Sequence, residues 1–192
     1  QPLLACGTYQ LVEAEQRRVG KLYVWRIQDG VQERLDMHLM CTFDDQGTLG
    51  GIFDMKWIEP EVWSGKEDAP LLSMVCADGV ALVGAVMESP SEHGGEMGHC
   101  FTVVARQVVG DAKSAMCLYT DWTEDHRQCL VSLSSGQLSR WAVDISALEE
   151  ALTSRPVEPP SFVEELQSFQ AHDLEAWSCC FGHSEGIFFS GE

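Results

Sequence analysis

A chain of 192 residues with 45% apolar residues can fill one large core, or contribute part of a larger one. Its formal charge of −18 argues against a nucleic-acid binder, which needs clustered Lys and Arg against phosphate, and reads as an acidic, soluble surface. The eight cysteines (Cys6, Cys41, Cys76, Cys100, Cys117, Cys129, Cys179 and Cys180) form no Cys-x-x-Cys pair and sit mostly in apolar runs. Reduced, buried thiols of a cytoplasmic or nuclear protein are therefore expected, not a disulfide framework.

Gln1-Pro2 runs straight into a strand, with no signal peptide and no initiator Met, so truncation at the N-terminus is expected. Residues 3–11 read as a short β-rich segment, followed by a charged loop over 13–18. Residues 20–27 alternate as a strand should, and 37–43 form another, closed by Asp44-Asp45-Gln46-Gly47. Residues 52–57 follow, then a loop with Pro and Gly up to Pro70.

The longest apolar run, 71–87, is broken at Asp78-Gly79. It reads as a hairpin, since a membrane span needs about 20 uninterrupted apolar residues. A polar loop over 88–98 leads to strands at 100–106, 116–122, 129–133 and 138–143, the last following the Ser134-Ser135-Gly136 turn. One short helix is expected at 145–153, as a loop insertion ended by Arg155-Pro156. The chain closes with a polar loop around His172, a strand over 176–181, a turn over 182–186 and the start of another strand. Adjacent Cys179 and Cys180 point to opposite faces of that strand.

Two markers repeat in step. Gly20, Gly79 and Gly136 each open a strand at a turn, at spacings of 59 and 57, and five residues later stand Trp25, Gly84 and Trp141. Trp57, Trp122 and Phe181 each close an apolar strand before a polar turn, at spacings of 65 and 59. This predicts an all-β fold, a fragment of a WD-repeat β-propeller with about three blades of an expected seven. The period exceeds the roughly 40–45 residues of a standard blade, and insertions after Glu13, Glu59, Glu88 and Ala147 supply the difference. The expected partition is 1–43 for strands b to d of one blade, 52–106 and 116–169 for two whole blades, and 175–192 for the start of a fourth.

Four stretches carry a resemblance: Leu3-Leu-Ala-Cys-Gly-Thr-Tyr-Gln-Leu11, the strand over 20–27, Phe53-Asp-Met-Lys-Trp57 and Gln170-Ala-His-Asp-Leu-Glu-Ala-Trp177. In order and spacing they resemble the N-terminal half of the WD-repeat diphthine methyl ester hydrolases, historically called diphthine methyltransferases. The resemblance implies removal of the methyl ester from methylated diphthine on elongation factor 2, a protein substrate, with no metal or organic cofactor. Because the sequence stops at Glu192 inside a blade, activity is expected of the whole propeller.

The residues themselves offer several candidates. Gly182-His-Ser-Glu-Gly186 has the residue types of a charge relay, but neighbours on a turn rarely meet in that geometry. His93, Glu96, His99 and Cys100 have the spacing of metal ligands yet read as a solvated hairpin loop. His172 is a candidate base with Glu175 to orient it, weighed against a role pinning its loop to the sheet. Asp54 is a third weak candidate for catalysis. Diphthine carries a quaternary ammonium, which aromatic faces and carboxylates hold best. Tyr9, Asp54, Trp57, Asp121, Trp122, Glu175 and Trp177 supply both kinds of group, on or beside strands expected to line the channel, with core packing as the alternative for the tryptophans. A non-catalytic WD adaptor is the second functional reading, because fold alone does not decide activity.

Overall fold

The computed structural model describes residues 2–30, 35–58, 69–90, 97–110, 115–183 and 186–192. Strands β1 (Leu3–Gly7), β4 (Leu22–Asp29) and β5 (Leu35–Phe43) form the first sheet, in the order β1-β4-β5. Its β1–β4 connection carries a small side hairpin, β2 (Gln10–Val12) with β3 (Arg17–Val19). The second sheet is a four-stranded antiparallel meander of β6 (Ile52–Ile58), β7 (Leu71–Cys76), β8 (Val80–Pro90) and β9 (Met97–Val108). A third sheet repeats that order with β10 (Cys117–Trp122), β11 (Gln128–Leu133), β12 (Gln137–Ala142) and β13 (Glu164–Gln170). The pair β14 (Ser178–Phe181) and β15 (Phe188–Gly191) follows.

Strands β7 and β8 are buried on both faces through Val86, which explains why residues 71–87 read as a continuous apolar run without alternation. Their connection turns at Gly79 (φ 77°), whose N–H donates to Cys76 O at 3.1 Å. The β11–β12 turn has the same construction at Gly136 (φ 80°), with a 3.0 Å bond to Leu133 O. A left-handed residue is needed at both, and glycine adopts it without steric penalty. Gly20 differs from these two, because its φ is not positive. A β-carbon there would meet Gly50 O at 2.5 Å and Thr8 O at 2.8 Å, so glycine serves a close backbone approach.

The third marker position has a backbone signature of its own. The pairing register shifts at Val24/Trp25 on β4, at Val83/Gly84 on β8 and at Arg140/Trp141 on β12, at the position five residues after Gly20, Gly79 and Gly136. At Gly84 the missing ring is replaced by Phe101 from β9, which occupies the space a β-carbon would need.

One expectation changes and another is extended. The hairpin of β8 and β9 extends further than a polar loop over 88–98 allows, since Glu88, Ser89 and Pro90 pair with His99, Gly98 and Met97. The helix, α1 (Ile145–Ser154), stands between β12 and β13 where a loop insertion is expected, and it is packed. Asp144 Oδ1 caps it by accepting from Ser146 N at 2.9 Å and Ala147 N at 3.4 Å. Leu148, Ala151 and Leu152 then fall on one face and are buried between the second and third sheets.

Three apolar cores lie in series. Leu22, Val24, Leu72, Met74 and Leu82 join the first sheet to the second. Val75, Val83, Val131, Leu133 and Phe162 join the second to the third. Leu130, Leu138 and Cys179 join the third to β14. The first strands of successive sheets lie side by side, β6 against β10 and β10 against β14.

All eight cysteines are free thiols, and Cys179 is buried while its neighbour Cys180 is exposed. Burial pushes the Cys41 thiol up to about 11, with Cys100 nearby adding to it, and the Cys129 thiol up to about 12 despite a hydrogen bond with Thr120. At each end of the series an apolar sheet face is open. Leu4 and Leu39 flank Trp25 in register at one end, and Phe189 lies opposite Cys180 at the other.

With such faces and the β1 edge uncovered, the purified 192-residue chain as a monomer is expected to melt broadly by circular dichroism. A sharp cooperative transition would contradict this. Iodoacetamide at pH 8 is expected to label Cys6 and Cys180 rapidly, and Cys41, Cys76, Cys117, Cys129 and Cys179 only after denaturation.

Candidate functional site

A cluster of mixed charges lies where β6 meets β10. Alternation along a strand puts Asp54 and Lys56 on one face of β6, and Tyr119 and Asp121 on one face of β10. Each strand has a register shift at its start, between Ile52 and Asp54 and between Cys117 and Tyr119. The two faces meet across the seam. Lys56 Nζ donates to Tyr119 Oη at 3.1 Å and lies 4.6 Å from the centre of that ring.

Both carboxylates bind backbone of the following sheet. Asp54 Oδ2 accepts from Thr120 N at 3.1 Å, and Asp121 Oδ2 accepts from Phe181 N at 2.8 Å. Burial raises the Asp54 pKa above its ordinary value, and the Thr120 N–H and the Lys56 charge offset only part of that. For Lys56, burial acts to lower the pKa. The hydrogen bond to Tyr119 and the charges of Asp54 and Asp121 outweigh it, so the net shift is upward and the ammonium is retained. Because Tyr119 Oη accepts from Lys56, the phenolic proton remains available to donate elsewhere. The site thus offers an ammonium and a phenol to an oxygen, and two carboxylates to a cation.

The other candidates are placed differently. Tyr9, 59% exposed, stacks on Phe53 with centroids 5.4 Å apart. Trp57 packs against the core of the first and second sheets. Trp122 is likewise structural, with Nε1 donating to Ser73 Oγ at 2.9 Å and its ring edge-on to Phe162. Glu175 is exposed, and Trp177, 55% exposed, precedes β14.

His172 is tied within the fold: Nε2 lies 2.8 Å from Ser190 Oγ on β15, and Nδ1 3.9 Å from Glu192. The N–H groups of Ala171 and His172 both donate to Gly136 O. That geometry holds a loop to its sheet.

His183 is fully exposed, 3.8 Å from Glu124, while Ser184 and Glu185 lie outside the described residues. On either side of those two, Gly182 N donates to Ile187 O at 2.8 Å. His93 and Glu96 also lie outside the described residues. His99 belongs to β9 and meets Arg26 Nη2 at 3.3 Å, and Cys100 Sγ lies 3.7 Å from Thr102 Oγ1. Among the described residues, no three His, Cys, Asp or Glu side chains are grouped to hold a metal ion. No described helix is long and apolar enough to cross a membrane.

Reading the sequence for aromatic and acidic groups passed over Lys56 and Tyr119. The available signal was Asp-x-Lys on one blade-opening strand and Tyr-x-Asp on the next, since period two puts each pair on a single face.

Comparisons with known proteins bear on the chain as a whole. No protein-family model matches the chain. A Dictyostelium discoideum protein named "Diphthine methyltransferase homolog" is 25% identical over 203 aligned residues, which cover 98% of this chain and 48% of that protein. The chain resembles that protein from end to end. It spans about half the length of this curated relative.

Among solved structures, Sqt1 from Chaetomium thermophilum superposes with a TM-score of 0.57 at 16% identity, covering 98% of this chain and 38% of Sqt1. A chain of a humanized mutant of the Chaetomium thermophilum Polycomb Repressive Complex 2 gives 0.57 at 13% identity, over 97% of this chain and 34% of the other. These likenesses establish the fold: the chain is a WD-repeat β-propeller fragment. The Asp54–Lys56–Tyr119–Asp121 group lies on β6 and β10, the edge strands that begin the second and third sheets.

The ties make Asp54 part of the seam, so Asp54→Ala is not silent in the fold. It is expected to leave the Thr120 amide without its acceptor, at a cost of about 1–3 kcal/mol, and to speed its hydrogen exchange. Asp54→Asn keeps an acceptor oxygen and is expected to keep that amide slow. A carboxyl whose pKa is raised by folding loses stability as pH climbs above the ordinary 3.8, so the Asn variant should lack that part of the wild-type decline in denaturation midpoint.

Proposed function

We propose that the protein is a cytoplasmic carboxylic ester hydrolase that removes the methyl ester from methylated diphthine on elongation factor 2. The observation that carries this reading is the similarity to a protein named for diphthine chemistry along 98% of the chain. The four stretches that resemble the diphthine methyl ester hydrolases point the same way.

The inner-strand cluster supports the reading chemically. Diphthine joins a trimethylammonium to a carboxyl group, and the methyl ester caps that carboxyl. A quaternary ammonium has no N–H to donate, so it is held by carboxylates and aromatic faces. Asp54 and Asp121 supply the first, each with one oxygen already bound to a backbone N–H. Tyr9 and Trp177 are exposed aromatics available for the second. No cofactor enters this reading: water is the co-reactant, and the products are a carboxylate and methanol.

Mass spectrometry of elongation factor 2 from cells lacking this protein tests the proposal. A modified histidine heavier by one methyl ester is expected, together with loss of the final amide. A fully amidated or unmodified histidine would reject the hydrolase and favour the adaptor reading.

A further inference from the structure

We propose that Lys56 and Tyr119 form the donor pair that holds the carbonyl oxygen of the ester and stabilises the negative charge developing on it during hydrolysis. The assignment rests on the hydrolase reading and adds a catalytic role for two residues to it. Lys56 is a cation in a strongly acidic chain, half-buried on an inner strand and bonded across the seam to a phenol rather than to a carboxylate. A lysine serving only to neutralise Asp54 or Asp121 would sit in contact with one of them. Neither carboxylate lies within ion-pair distance of it among the described contacts, and both instead bind backbone amides.

The donor geometry suits an oxyanion. Lys56 has three N–H donors and spends one on Tyr119, while Tyr119 keeps its O–H. Preorganised donors on two packed strands do not have to reorient as charge develops, which is where such groups act most strongly.

The step balances with water alone. Water oxygen bonds to the carbonyl carbon, and the carbonyl π pair moves onto the oxygen held by Lys56 and Tyr119. A water proton passes to the carboxylate of Asp54. Burial raises the proton affinity of that carboxylate and makes it a better base. Collapse breaks the carbon–methoxy bond, and the departing methoxide takes the proton back from Asp54 as methanol.

The test uses the full-length protein with elongation factor 2 purified from cells lacking it, reading methanol release. Lys56→Met and Tyr119→Phe are each expected to lower kcat on the order of a hundredfold with KM little changed, the pattern for an interaction made only in the transition state. Lys56→Arg, which keeps the charge, is expected to fall between Lys56→Met and wild type. Wild-type kcat in both Lys56→Met and Tyr119→Phe, with unaltered melting, would overturn the donor pair. A rise in KM at unchanged kcat would do so too, since it marks ground-state binding only. Should Lys56→Met fail to fold, Tyr119→Phe, which removes a single oxygen, decides. Absence of methanol release from the wild-type protein would instead overturn the hydrolase reading on which the assignment stands.

Discussion

Two side-chain-to-backbone bonds set how the sheets stand relative to one another. Strand β10 pairs only with β11 in its sheet, and β14 only with β15, so each presents an edge of backbone groups towards the preceding sheet. An unpaired amide at a packed seam is costly. Asp54 accepts the Thr120 N–H and Asp121 accepts the Phe181 N–H, so the second and third sheets each satisfy an edge amide of the sheet that follows. Apolar packing between sheets has no preferred direction along the strands. These bonds supply the direction, and they use carboxylates because an ionised acceptor binds an N–H more strongly than a neutral one.

The sheets keep their backbone more faithfully than their side chains. A register shift recurs in all three sheets, on β4, β8 and β12, although its residue is Trp25, Gly84 or Trp141. In the second sheet the ring comes from the neighbouring strand, with Phe101 lying over Gly84. In the third sheet Trp141 stays in place and packs edge-on to Phe162. The aromatic volume between sheets is retained, and the strand that delivers it changes.

That division explains what could be read from the sequence. Turn glycines at 79 and 136 were legible because a left-handed residue is a local demand, met by one residue type. Gly20 was read as a third turn, whereas its reason is non-local: the carbonyls of Thr8 and Gly50 crowd it from elsewhere in the chain. The helix was visible in outline, but not its burial, since Leu148, Ala151 and Leu152 make an apolar face whose partner surface no local pattern reveals. His172 offered two roles in the sequence, a base or a pin for its loop, and the partner it meets, Ser190 Oγ, lies 18 residues further on in β15. Lys56 and Tyr119 are 63 residues apart, and only the side-by-side placement of two blade-opening strands joins them.

For the hydrolysis proposed above, the placement of Lys56 also bears on selectivity. A chain with a formal charge of −18 attracts any cation over its whole surface, so attraction to a trimethylammonium distinguishes little. Such long-range attraction is screened within about 8 Å at physiological salt. Discrimination must then come from the other end of the ligand, where an ester carbonyl can accept hydrogen bonds and a methyl group cannot. A buried-edge ammonium bonded to a phenol provides that second contact, and only a ligand carrying both ends at the right separation satisfies it. On this argument the carboxylates concentrate the substrate at the ring, and the Lys56–Tyr119 pair selects it.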